Sequence, residues 1–223
     1  MSDDPMRINA GPLDRLTDGL QEGLITQLYG EFATGKSTYC IQAAAAVSRE
    51  GKKTAYIDTE GGFSPERARQ IGGASCLPDI QVYRPGSLDE QTALVRSLAS
   101  DLGGDVGLIA FDSFVALYKV DAPDMERRSE LVCDLSLQLL LLSRVARERG
   151  IPVVITNHVY EDFSRDVQVP VGGHTLKYWS KVIVSLEKTG ASRRKAVLVR
   201  HPYLPEGRSC YVALSDAGMG VDE

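Results

Sequence analysis

No apolar run in this sequence approaches the length a bilayer-spanning helix requires, and the polar start MSDDPMRINAG lacks the hydrophobic stretch of a secretory leader. A membrane or exported protein is therefore not expected, and a cytoplasmic one is. The four cysteines, Cys40, Cys76, Cys133 and Cys210, stand far apart with no C-x-x-C pair. That spacing argues against both a zinc site and a disulfide framework, and fits a reducing interior. Internal repeats and low-complexity tracts are also missing. Nor is there an excess of positive charge: the formal net charge of −5 excludes a generally basic coat for nucleic acid. The charge is uneven, however. Residues 171–210 hold eight lysines and arginines, Arg193, Arg194 and Lys195 among them, against two glutamates. This stretch reads equally well as a local polyanion footprint and as a solvated hairpin face.

What is present is an ordinary globular composition, 43% hydrophobic and 25% charged over 223 residues. That length suits one domain over residues 1–223, with 1–10 as a short extension. One segment stands out. Residues 30–37, GEFATGKS, fit G-x-x-x-x-G-K-[ST], the phosphate-binding P-loop. The glycines let the backbone fold into a nest whose N–H groups point at phosphate oxygens. Lys36 brings charge to the outer phosphates, and the Ser37 hydroxyl is a ligand for Mg²⁺. Gly30, Glu31, Phe32, Ala33, Thr34, Gly35, Lys36, Ser37 and Thr38 are thus candidate nucleotide contacts, with Lys36 solvated at the loop mouth. The setting agrees. Residues 24–29 alternate like a strand, and 37–49 are alanine-rich without glycine or proline until Gly51, as in a helix.

Further along, strands are expected at 54–58, 80–83, 106–112 and 151–157, and helices at 65–71, 88–100 and 129–149. Residues 158–173 read as a polar loop. Short β-rich runs at 182–186, 196–200 and 211–214 read as an antiparallel extension. Alternating strands and helices followed by strands imply an α/β fold with a mostly parallel central sheet flanked by helices.

In such sheets the ligand lies beyond the carboxyl ends of the strands, so polar residues that close a strand become candidates. Asp112 closes LIAFD as a Walker B acid does, placed to hold the hydration shell of Mg²⁺. Glu60, just past Asp58, is a candidate base for attacking water. Asn157 and His158 follow VVIT and are candidates for sensing a γ-phosphate.

LYGEFATGKST, YIDTEGGFSPER, LIAFDS, IPVVITNH and RHPYLPEG, in this order, resemble the ATPase core of the RecA/RadA recombinase superfamily. The resemblance runs from about Gly11 to the end of the chain, and DTEGGFSPER is its most specific part. Within the superfamily the chain is most similar to a short archaeal paralogue that begins almost at the ATPase core. The resemblance implies a RecA-like core, ATP and Mg²⁺ as cofactors, and weak ATP hydrolysis with Glu60 and Lys36 as catalytic residues. It makes Ser37 and Asp112 the metal contacts and Arg67 the residue flanking adenine. It implies DNA as a partner, the family's two DNA loops falling at 119–130 (with Arg127 and Arg128) and 158–173; from its charge, the segment with Arg193, Arg194 and Lys195, rather than the acidic second loop, is expected to carry DNA binding. A full-length recombinase and a homodimer are further partners it implies, in an accessory role without strand exchange of its own. Recombinases often have glutamine where His158 stands, and the second loop here carries Glu161, Asp162 and Asp166. The alternative is a KaiC-like signalling or motility ATPase with no DNA role.

Overall fold

The computed structural model describes residues 7–120, 125–162 and 167–222, with the side chains of 119–130 and 161–168 outside that description. The chain opens with a small ribbon, β1 (Arg7–Ile8) and β2 (Leu20–Gln21), on either side of the short α1 (Asp14–Thr17). It then alternates through β3 (Ile25–Gly30), α2 (Lys36–Arg49), β4 (Lys53–Asp58), α3 (Pro65–Gly72), β5 (Ile80–Tyr83), α4 (Leu88–Ser100) and β6 (Val106–Asp112). Next come α5 (Ala116–Val120), α6 (Met125–Arg149), β7 (Val153–Asn157), a hairpin of β8 (Val159–Asp162) and β9 (Val167–Pro170), and α7 (Gly173–Trp179). The chain finishes with β10 (Val182–Lys188), β11 (Arg193–Arg200), β12 (Ser209–Ser215) and β13 (Gly218–Val221).

Among the described residues these strands build one nine-stranded sheet, in the order β13-β12-β11-β10-β3-β7-β6-β4-β5. From β10 to β5 every pairing is parallel, while β10 to β13 pair antiparallel. The RecA-like α/β core with an antiparallel C-terminal extension is as expected. Chain order and sheet order differ where β3 leads over to β4, with β7 and β6 lying between them. That break leaves a crevice at the strand ends, where ligands of open α/β sheets bind.

Both faces of the parallel part are covered, so its strands read as continuous apolar runs. Alternation divides each strand between two cores. Leu28, Tyr56, Leu108, Ala110 and Val154 pack with α2, while Ile25, Ala55, Ile57, Ile109, Phe111, Val153 and Ile155 meet α4 and α6. Helix α2 buries Ala43, Ala44, Ala45 and Ala46, whose small side chains let it lie close on the sheet. Helix α4 is capped by Ser87, whose hydroxyl accepts from the Glu90 N–H at 3.2 Å. It meets α6 through Gln91, which donates to Gln138 Oε1 at 2.8 Å and to the Phe114 carbonyl at 3.2 Å.

Four sequence expectations change. The leucine-rich helix begins at Met125, and it buries a single stripe, Leu131, Leu135, Leu139 and Leu142, leaving Leu140 exposed. Part of the segment expected as the first loop is thus helical backbone, and the side chains of Arg127 and Arg128 lie outside the described residues. The 158–173 loop contains the β8–β9 hairpin, because Val159 pairs with Pro170 and Tyr160 with Val169. Strand β11 starts three residues earlier than the apolar run suggests, since Arg193, Arg194 and Lys195 pair with Ala213, Val212 and Tyr211 of β12. Among the described residues no helix is long and apolar enough to cross a membrane.

Leu139 is fully buried where α6 meets the sheet. Leu139→Ala is expected to destabilise the fold by about 2–5 kcal/mol, the range for a buried leucine truncated in a close-packed core. Urea denaturation followed by circular dichroism measures it.

Candidate nucleotide-binding site

The parallel register brings four strand ends to one edge of the sheet. Tyr29 of β3 lies beside Asn157 of β7, Phe111 of β6 beside Ile155, and Asp58 of β4 beside Asp112. The loop leaving β3 is therefore surrounded by the polar ends of its neighbours. Together they form an open cleft of about 360 Å³, lined by residues 32–38 with Glu60, Asp112, Thr156, His158, Arg194 and Leu214. Gly30 and Glu31 line a neighbouring cleft instead.

Two glycines are required by space. A Cβ on Gly30 would lie 2.2 Å from the Leu186 carbonyl oxygen, so β10 and the loop can approach only without a side chain. Gly35 has φ 100°, and a Cβ there would also meet Leu214 and Met219 at 2.9 Å. It caps α2, which points its N-terminal end at the cleft.

Lys36 departs from the expectation of a solvated side chain, being only 7% exposed. Its ammonium donates to the carbonyls of Gly30 at 2.9 Å and Glu31 at 2.7 Å, folding back along the loop. Burial lowers its pKa below the ordinary lysine value, and the charges of Asp112 and Glu60 oppose that shift. Ser37 and Thr38 follow at the cleft, and Phe32 stands at its rim, 81% exposed, with the Lys188 ammonium over its ring.

Asp112 is buried between two strands that each supply a donor. The Tyr56 hydroxyl of β4 donates to Oδ2 at 2.9 Å, and the Thr156 hydroxyl of β7 to Oδ1 at 2.7 Å. With the Ser37 hydroxyl at the same cleft, this carboxylate matches the oxygen donor set that Mg²⁺ takes alongside phosphates and water. The glycine-lined loop and the lysine match a polyphosphate. The residues fit both groups, which the strand–loop–helix order had implied.

Glu60 reaches the cleft on the turn after β4, and that turn is built by Asp58. The Asp58 carboxylate accepts from the N–H groups of Gly62 at 2.9 Å and Phe63 at 3.1 Å, and from Arg84 Nε at 3.2 Å. Thr59 fastens the same turn to β6, donating to the Ser113 carbonyl at 2.6 Å and accepting from its N–H at 3.0 Å. Glu60 itself is 41% exposed and in close contact with His158 Nε2. That hydrogen bond is the main reason its pKa falls below the usual carboxylate value.

Three candidates lie elsewhere than expected. Asn157 faces away from the cleft, donating to the Val171 carbonyl at 2.8 Å, while Thr156 and His158 line it. Alternation explains this, since Asn157 shares the face of Val153 and Ile155, and Thr156 that of Val154. Arg67 does not line the cleft; it donates to the carbonyls of Ser215 and Asp216, each at 2.6 Å, tying α3 to the β12–β13 turn. Arg194, expected as a DNA contact, does not lie on the surface. It is 6% exposed and turned into the nucleotide cleft. Its neighbour Arg193 pairs with Asp222 and stacks over Tyr211, with 4.1 Å to the ring centroid. Lys195 is half-buried. Sequence reading missed Asp58, Thr156 and the role of Arg194; the period of two along each strand was the available signal.

A parallel sheet whose strand ends carry a glycine-bounded phosphate loop, a buried acid and a glutamate on a braced turn defines a RecA-like P-loop protein. The chain belongs to the Rad51 family, whose sequence model matches residues 6–222. It is 38% identical to the DNA repair and recombination protein RadB of Methanococcoides burtonii, covering 93% of this chain and 94% of that one. The RadB of Methanoculleus marisnigri is 40% identical, with 92% of each chain covered. The crystal structure of the RadB recombinase superposes with a TM-score of 0.84 at 34% identity, over 97% of this chain and 100% of that one.

The Asp58 bonds carry a direct consequence for stability. Asp58→Ala removes a buried acceptor of two backbone N–H groups and is expected to cost about 1–3 kcal/mol, the penalty of leaving such donors unsatisfied. Denaturant unfolding measures the loss.

Proposed function

We propose that this protein binds ATP with Mg²⁺ and serves DNA repair and homologous recombination in the cytoplasm. In this reading it hydrolyses ATP weakly, binds DNA, and assists a full-length recombinase rather than exchanging strands itself. The observation that carries the proposal is the single cleft shared by Lys36, Ser37, Asp112 and Glu60 at the end of a RecA-like sheet. The name of the RadB relatives, DNA repair and recombination protein, supplies the biological setting.

Each cleft residue has a chemical role in this reading. Lys36 exchanges its contacts with the loop carbonyls for the outer phosphates, supplying charge where the ligand is most negative. Ser37 and Asp112 hold Mg²⁺, which neutralises phosphate charge when bound. Glu60 accepts a proton from water. Slow turnover is supported by the contact between Glu60 and His158: a carboxylate already hydrogen-bonded, with a depressed pKa, is a weaker base. As a hydrogen-bond partner of Glu60 that also lines the cleft, His158 is the candidate sensor just past β7. An accessory role agrees with the hairpin at the second DNA loop, whose sequence includes Glu161 and Asp162. Carboxylates there repel the phosphate backbone. A homodimer, or a complex with the recombinase, is the assembly we propose.

Lys36→Ala is expected to lose most ATP affinity while remaining folded. Isothermal titration beside circular dichroism decides, and parent-like affinity in a folded variant would sink the assignment of the phosphate loop. Glu60→Gln is expected to retain ATP and lose hydrolysis, because the amide keeps the shape but takes no proton. Phosphate release at saturating ATP reports it; parent-rate turnover would make Glu60 a turn residue only. The DNA role is tested by retention of single- and double-stranded DNA in a salt series with and without ATP. Affinity that falls steeply with salt is expected from phosphate contacts. No retention at low salt would favour a protein-directed ATPase.

A further inference from the structure

Arg194 lies on β11, outside the parallel core, yet its side chain ends at the phosphate loop. Strand alternation sends it to the face of Ala196 and Leu198, where α2 and the loop also pack. Its guanidinium forks onto a single atom of the loop: Nε at 3.3 Å and Nη2 at 3.0 Å both donate to the carbonyl of Ala33. Nη1 anchors the other end of the group, donating to the carbonyls of Gly190, Ala191 and Arg193 at 2.9, 3.2 and 2.8 Å. Among the described residues no carboxylate pairs with Arg194, and the partners they supply to its charge are carbonyl dipoles.

The atom it holds belongs to a constrained residue. Ala33 has φ 58°, a left-handed conformation that a residue with a Cβ keeps only where its surroundings impose it. In a trans peptide the following N–H points opposite to the carbonyl. Holding the Ala33 carbonyl outward therefore also sets the direction of the Thr34 N–H, one of the donors of the loop's nest. Lysine in place of arginine would reach with one point charge and could not fork.

We infer that Arg194 is a positioning residue of the nucleotide site, a clamp from β11 that holds the tip of the phosphate loop in its nucleotide-receiving shape. The inference rests on the nucleotide-binding reading above. It gives the basic segment a role within the chain in place of a DNA contact.

The test compares the parent protein with Arg194→Gln, Arg194→Lys and Lys36→Ala, using ATP and ADP as probes in isothermal titration. Arg194→Gln is expected to weaken ATP and ADP alike by about 10- to 100-fold, the scale of lost charge-assisted hydrogen bonds. The Arg194→Lys variant should fall between it and the parent. Because Arg194 acts through the loop and not on the water, KM for ATP should rise while kcat at saturating ATP stays within about twofold of the parent. A merely structural role would not split the two. Parent-like affinity in a folded Arg194→Gln would overturn the inference. If that variant fails to fold, Arg194→Lys decides: weaker binding supports the clamp and parent-like affinity overturns it. A parent that binds no nucleotide, or Lys36→Ala binding as well as the parent, would overturn the site itself and so stays distinguishable.

Discussion

A carboxylate taken out of water must have its oxygens satisfied, and Asp112 meets that demand from both sides at once. Tyr56 reaches it from β4 and Thr156 from β7, the two strands that flank β6 in the sheet. The three strand ends are thereby held in register at the edge where the phosphate loop emerges. The arrangement also points the acid into the cleft, since Asp112 follows Leu108 and Ala110 on the face that packs against α2. A buried group that is fully hydrogen-bonded to neighbours is rigid.

Around this centre the turn after β4 and the phosphate loop are braced, the first from the parallel core and the second from β10 and β11. The turn carrying Glu60 is tied down by Asp58 and Thr59, so a partly exposed glutamate is still presented in one place. The phosphate loop is confined on one side by the Leu186 carbonyl against Gly30, and at its tip by Arg194 on Ala33. The antiparallel extension is thus more than an edge to the sheet. Its strands β10 and β11 supply both walls of that confinement. The lysine donates to carbonyls of its own loop, which satisfies a buried cation.

The elements were legible where local pattern and tertiary burial agree. The strands 80–83 and 106–112 and the helix 88–100 match their expected bounds: 106–112 is an apolar run closed by an acid, 80–83 alternates, and 88–100 carries a single buried stripe. The hairpin at 158–173 was not legible, since its charged residues hide the pairing of Val159 and Tyr160 with Val169 and Pro170. Arg193–Arg194–Lys195 looked like a surface cluster because composition carries no sense of direction. Alternation separates them, sending Arg194 inward and leaving Arg193 to Asp222 and Tyr211.

Sequence by itself determined the phosphate loop, the acid at the end of β6 and the glutamate after β4. Each of these rests on residue types that the local backbone and the ligand chemistry jointly require. Glycines must bound the loop, a lysine must answer phosphate, and a strand end must carry the acid. Tertiary structure alone decided which side chains share the cleft. Thr156 rather than Asn157 faces it, His158 touches Glu60, and Arg194 crosses from β11 to the loop. Those partners are distant along the chain, and only the order and register of the strands bring them within a hydrogen bond of one another.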